Sequence, residues 1–173
     1  MGEPAPELDL SALLRTLTRE KVKFLIIGGI AGALHGSTTM TSDLDILYAR
    51  DRENVRRLAA ALARLDARRR DLPAGVAAPV DAASILNGLN LLLVTRFGDL
   101  DCLGETPSGR FTYEQLVVTA ERYEIAEDLQ VSVVSLEELI RMKRATGRAQ
   151  DRAEVERLAA LRDELEDAGR ADR

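Results

Sequence analysis

The segment 23-KFLIIGGIAGALHGSTTMTSDLDILYA-49 constrains this chain more than any other. An apolar run from Phe24 to Ile27 breaks at Gly28-Gly29 into a stretch of small residues. A second apolar run, 44-LDILYA-49, carries Asp45 inside it and Asp43 at its entrance. Side chains alternate faces along a strand, so residues two apart share a face. Asp43 and Asp45 therefore point one way, while Leu44 and Ile46 turn into a core. Two carboxylates held that close repel unless a cation lies between them or one is protonated. A hard divalent ion with oxygen ligands, Mg²⁺ above all, compensates such a pair. The structural alternative is a strand end whose acids reach water or cap neighbouring amides.

Around this segment the pattern predicts helices interleaved with strands. Residues 1–7 read as a loose proline-containing tail. Leu10, Leu13, Leu14 and Leu17 then recur at the spacing of an amphipathic helix. Residues 23–28 form a short buried strand, and the small residues from Gly29 to Gly36 suit a tight turn and a short helix. Asp51 caps a helix over 52–65. Arginines, prolines and Gly75 mark a loop from Ala67 to Pro79. A short helix over 81–88 closes at Gly88. Strands at 90–95 and 99–104 are joined by 96-RFG-98. Thr112 caps a short helix over 113–118, and strands 122–126 and 129–135 turn at Glu127-Asp128. Helices over 136–146 and about 150–166 are separated at Gly147. In the last of these, Val155, Leu158, Leu161 and Leu165 form one apolar stripe, read as core packing. The expected fold is a single α/β (α+β) domain over 1–173, a mixed sheet flanked by helices, with C-terminal helices over 136–168.

Bulk charge limits the partners. Lys and Arg number 24 against 29 Asp and Glu, a net charge of −5. A general nucleic-acid coat protein would be strongly basic. Local basic grooves remain open, from Arg64, Arg68, Arg69 and Arg70 or from Arg141, Lys143, Arg144, Arg148 and Arg152; the first cluster reads as solvated surface and loop. The one cysteine, Cys102, permits no intramolecular disulfide or cysteine-based zinc site and reads as a small buried hydrophobe. The opening MGEPAPELDL lacks the regions of a signal peptide. No apolar run approaches the ~20 residues that span a bilayer. The expectation is a cytoplasmic protein with no membrane partner.

The glycine pair gives the carboxylates a context. A strand that ends in Gly28-Gly29 and runs into a helix brings backbone amides and a helix N-terminus within reach of a phosphate. Glycine lets that phosphate come close because no Cβ intervenes. Taken together, a hydrophobic residue, Gly28-Gly29, thirteen residues, and Asp43-Leu44-Asp45-Ile46 resemble the signature of the DNA polymerase beta-like nucleotidyltransferase superfamily. The segments 35-HGSTTMTSDLD-45 and 143-KRATGRAQD-151 are similar to small bacterial members related to abortive-infection (AbiEii-type) toxins and to minimal nucleotidyltransferases. The resemblance spans roughly residues 22–160 and implies the nucleotidyltransferase fold. It implies that Gly28 and Gly29 bind a triphosphate and that Asp43 and Asp45 hold Mg²⁺. A third carboxylate then comes from a neighbouring strand in an apolar–acid–apolar context. Leu100-Asp101-Cys102 matches that context, and Asp99, on the same face two residues earlier, is the rival. Many relatives carry an arginine where Thr39 stands.

The activity this implies is transfer of an NMP from an NTP, ATP among them, to an acceptor hydroxyl with release of pyrophosphate. Two Mg²⁺ ions, or Mn²⁺ in their place, would be shared by Asp43, Asp45 and Asp101. Ser42 and Thr41 lie beside the pair as hydrogen-bonding support, and Lys143 and Arg148 are candidates for gripping phosphate. Asp151 reads as a helix cap or the partner of Arg148, and His35 as a structural hydrogen-bonding residue. An RNA 3′ end such as that of tRNA, or a protein, is the expected acceptor, in a toxin–antitoxin or phage-defence setting. The alternative is a non-catalytic antitoxin or nucleotide-binding partner of a cognate toxin. A kinase or dinucleotide-binding protein fits poorly: the phosphate-loop lysine pattern is missing, and 28-GGIAGALHG-36 has the wrong spacing.

Overall fold

The computed structural model describes residues 6–73, 76, 78, 80–106 and 111–171. The expected tail at residues 1–7 and loop at 67–79 thus lie partly outside the described residues.

Among the described residues, seven strands form one mixed sheet. In chain order they are β1 (Phe24–Ile27), β2 (Asp43–Tyr48), β3 (Arg68–Arg69), β4 (Asn90–Thr95), β5 (Gly98–Leu103), β6 (Glu121–Ala126) and β7 (Leu129–Val133). Their order across the sheet is β3-β4-β5-β2-β1-β7-β6. The pairs β2–β5 and β1–β7 are parallel, and the rest antiparallel. The all-apolar β1 therefore lies near the middle of the sheet, where both faces are covered. All four of its residues are buried.

The helices are α1 (Leu10–Arg19), α2 (Gly28–His35), α3 (Arg52–Arg64), α4 (Ala82–Asn87), α5 (Tyr113–Leu116), α6 (Leu136–Thr146) and α7 (Ala149–Ala171). Short polar side chains start several of them, as the sequence suggested for Asp51. Asp9, Asp51, Asp81 and Ser135 each accept a first-turn amide. The α7 stripe is core-facing over Val155, Leu158 and Leu161, but Leu165 is half exposed. That last turn has run past the core it packs on.

One unanticipated element is β3, where the sequence suggested only loop. A two-residue edge strand carries no periodicity to read, yet it pairs Arg68 with Val94 and Arg69 with Leu93.

A buried polar residue joins the far ends of β1 and β2. Asn54 in α3 is fully buried. Its Oδ1 accepts from Lys23 N at 2.6 Å, and its Nδ2 donates to Lys23 O at 3.0 Å and to Ala49 O at 2.7 Å. Asn54→Ala strands Lys23 N and Ala49 O, while Lys23 O keeps the Ala49 amide at 3.1 Å. It is expected to cost about 2–4 kcal/mol, each stranded buried group accounting for about 1–3. A urea midpoint unchanged from wild type would contradict this role.

Candidate active site

The parallel pairing of β2 with β5 assembles the acids. Asp43 lies beside Asp99 and Asp45 beside Asp101, with Leu44, Ile46, Leu100 and Cys102 on the other face. Four carboxylates thus share one face of two neighbouring strands. Ligand atoms of Asp43, Asp45 and Asp101 lie within 4.8 Å of one another. That three-carboxylate oxygen set can hold a hard divalent cation. Asp99 stands one step further from Asp45, and one of its oxygens is buried without a hydrogen-bond partner among the described residues.

The glycine pair closes against these acids. Helix α2 starts at Gly28, directly from the strand, and its N-cap is Ile27, which supplies no capping side chain. The first-turn amides are therefore free of a side-chain cap, as anion binding requires. Gly28 has φ +66°, and a Cβ there would stand 2.2 Å from Asp45 Oδ2. A Cβ on Gly29 would meet Thr41 at 2.7 Å. Thr41 in turn donates to Asp43 Oδ1 at 3.1 Å. Both glycines thus let the helix start sit directly against the acid pair.

A cavity of about 640 Å³ opens over this face. Gly28, Gly29, Asp43, Asp45, Asp101, Lys143 and Arg148 all line it. Ser42, expected beside the acids, is exposed and is not part of the wall; Thr41 makes the contact instead. Lys143 reaches the cavity from α6 with its ammonium on Glu154 at 2.8 Å. Arg148 approaches Asp151 at 3.4 Å, and Asp151 also accepts from Thr146. Thr39 lies in a loop closed on itself through Ser37. His35 is buried, with Nε2 2.7 Å from Val134 O and Nδ1 2.8 Å from the Tyr123 hydroxyl. Both ring nitrogens are committed to structure.

Sequence reasoning missed Arg70. Grouped with Arg64, Arg68 and Arg69 as solvated surface, it instead grips Asp101 with both ends of its guanidinium, at 2.6 and 2.9 Å. Alternation from Arg68 would have turned Arg70 toward the acids, had the strand been legible. Arg69 pairs with Asp71.

Burial and then crowding set the protonation. Burial, then the charges of Asp43 and Asp101, pushes the Asp45 carboxyl up to about 7. Burial also raises Asp101, against the opposing pull of Arg70. Between the unfolded value near 4 and about 7, the folded chain holds a proton on Asp45 that the unfolded chain releases. This group therefore costs stability as pH rises through that window. Asp45→Asn removes the charge, so without divalent ions at pH 8 it is expected to stabilise the fold by about 2 kcal/mol. The gain should shrink toward pH 5. Thermal melts in EDTA at both pH values test this, and a variant melting below wild type at pH 8 would refute it.

No family model and no curated protein matches the chain. Among solved structures it is similar to a "putative nucleotidyltransferase" (TM1012) from Thermotoga maritima. The two are 16% identical over 91% of each chain, with a TM-score of 0.55. At that identity the likeness is one of architecture, and the chain shares the mixed-sheet fold of that protein.

Proposed function

We propose that this chain is a metal-dependent nucleotidyltransferase that moves an NMP from an NTP to an acceptor hydroxyl. The observation that carries the proposal is the convergence of Asp43, Asp45 and Asp101 within 4.8 Å, against a glycine-started helix and under one cavity. The fold shared with the Thermotoga maritima protein supports it.

The donor set is all carboxylate, and Asp45, raised first by burial and then by the charges of Asp43 and Asp101, carries repulsion that a divalent ion would relieve. Asp43, Asp45 and Asp101 would hold Mg²⁺ or Mn²⁺, up to two ions. When bound, such ions neutralise phosphate charge and lower the pKa of an acceptor hydroxyl. The amides at the start of α2 bind the triphosphate, and Lys143 and Arg148 flank it from α6 and the turn into α7. The acceptor oxygen attacks the α-phosphorus in line, the bond to the bridging oxygen breaks, and pyrophosphate leaves. Asp101 is placed to take the acceptor proton. The acceptor we favour is an RNA 3′ end, tRNA included, or a protein hydroxyl, in the toxin–antitoxin or defence setting of the AbiEii-type and minimal nucleotidyltransferases.

The test incubates the chain with each α-labelled NTP, Mg²⁺ or Mn²⁺, and separated RNA and protein fractions of a cell extract. Label appearing in one fraction with release of pyrophosphate is the expected result. Failure to transfer label from any NTP, together with stoichiometric capture of a partner protein, would replace this reading with the non-catalytic one.

A further inference from the structure

We infer that Arg70 is a built-in competitor for divalent ions at Asp101, so that the resting site takes one ion at Asp43 and Asp45. A second ion enters only when Arg70 withdraws. This rests on the metal-dependent reading of the site above.

Both Asp101 oxygens are committed to Arg70, through Nη1 at 2.6 Å and Nη2 at 2.9 Å. Paired N–H···O bonds of this kind are the strong, geometrically specific form of the arginine–carboxylate contact. The Asp101 side chain is only 11% exposed, so water screens the pair poorly. A cation bridging Asp101 to Asp45 must share or displace those bonds. The guanidinium also lies 3.7 Å from Asp99, whose other oxygen is buried without a hydrogen-bond partner among the described residues. One fixed positive charge thus sits among four carboxylates and partly neutralises the half of the cluster on β5. The Asp43–Asp45 half on β2 forms no ion pair with an arginine among the described residues and feels Arg70 only at longer range: Asp43 accepts from Thr41, and Asp45 lies against Gly28.

The tether of Arg70 suits withdrawal. Its amide donates to Leu92 O at 3.0 Å and its Nη1 to Leu93 O at 3.2 Å, beside an edge strand of two residues. For the side chain to leave, its two bonds to Asp101 and one to Leu93 O must break, while the backbone bond to Leu92 O can stay. A nucleotide triphosphate entering the cavity brings negative charge that competes with Asp101 for the guanidinium. Loading would then be ordered: first ion, nucleotide, then second ion.

Mn²⁺ binding to the nucleotide-free chain tests this without reference to turnover. Isothermal titration should give one Mn²⁺ per wild-type chain. Arg70→Gln, which keeps much of the volume without the charge, should bind two, the second at least about 10-fold tighter than any second ion on wild type, equivalent to about 1.4 kcal/mol. Electron paramagnetic resonance should show a spin-coupled pair only in the variant. Arg70→Lys keeps the charge without the fork and should fall between them. Equal stoichiometry and affinity in wild type and both variants, with Asp43→Ala abolishing the binding, would overturn the competitor role and leave the metal reading standing. No Mn²⁺ bound by wild type or either variant would overturn both.

Discussion

Asp43→Ala and Asp45→Ala are each expected to lower the proposed nucleotidyl transfer by at least about 10³-fold while the chain stays folded. That factor corresponds to about 4 kcal/mol of lost transition-state stabilisation. The two acids stand on the central strand β2, beside Asp99 and Asp101 of β5, and neither forms an ion pair with a side-chain cation among the described residues. Removing either one takes a carboxylate from the proposed cation site without opening the core, because Leu44, Ile46 and Leu47 hold the strand from its buried positions. Asp45→Ala should even melt higher than wild type in EDTA at pH 8, since it too removes a buried charge crowded by Asp43 and Asp101. Initial rates with saturating NTP and Mg²⁺, alongside thermal melts, check both statements. Activity within 10-fold of wild type in either variant, with label still transferred, would remove these residues from the chemistry.

Gly28→Ala is expected to be nearly as severe for activity and, unlike the acid variants, to weaken the fold. An alanine at φ +66° costs about 1–2 kcal/mol in backbone strain alone. Its Cβ would stand 2.2 Å from Asp45 Oδ2 and 2.9 Å from Cγ, so the carboxylate must move. Displacing a reacting group by about 1 Å is enough for a roughly 10²-fold loss of rate. Gly147 separates the two contributions. It has the same φ of +66°, but a Cβ added there would meet nothing within 4 Å. Gly147→Ala should therefore show only the backbone cost in denaturant unfolding. Equal losses of stability in the two variants would mean that the contact with Asp45 contributes nothing.

Much of the fold was legible because its signals are local. Leucines at helical spacing gave α1, and Asp51 marked the start of α3. The hairpin β4–β5 followed from two apolar runs around Arg96-Phe97. Boundaries moved by a residue or two, and α7 runs to Ala171 because nothing in its exposed last turns stops it. The edge strand β3 was unreadable: two arginines carry no periodicity, and only the carbonyls of β4 make them a strand.

For the site, the same division holds. The sequence alone determined that Asp43 and Asp45 share a face, since alternation along a strand requires it, and that Gly28-Gly29 precedes a helix. Alternation did not separate Asp99 from Asp101, which share one face; only the apolar flanks of Asp101, through the family resemblance, favoured it. That choice belongs to the register of β2 against β5, which sets Asp101 beside Asp45 and Asp99 beside Asp43. Nor could it separate Arg70 from its neighbours, because a contact across 31 residues leaves no local pattern. Local geometry is written in neighbouring residues, whereas strand register and the partner of a charge are fixed only when distant segments pack together.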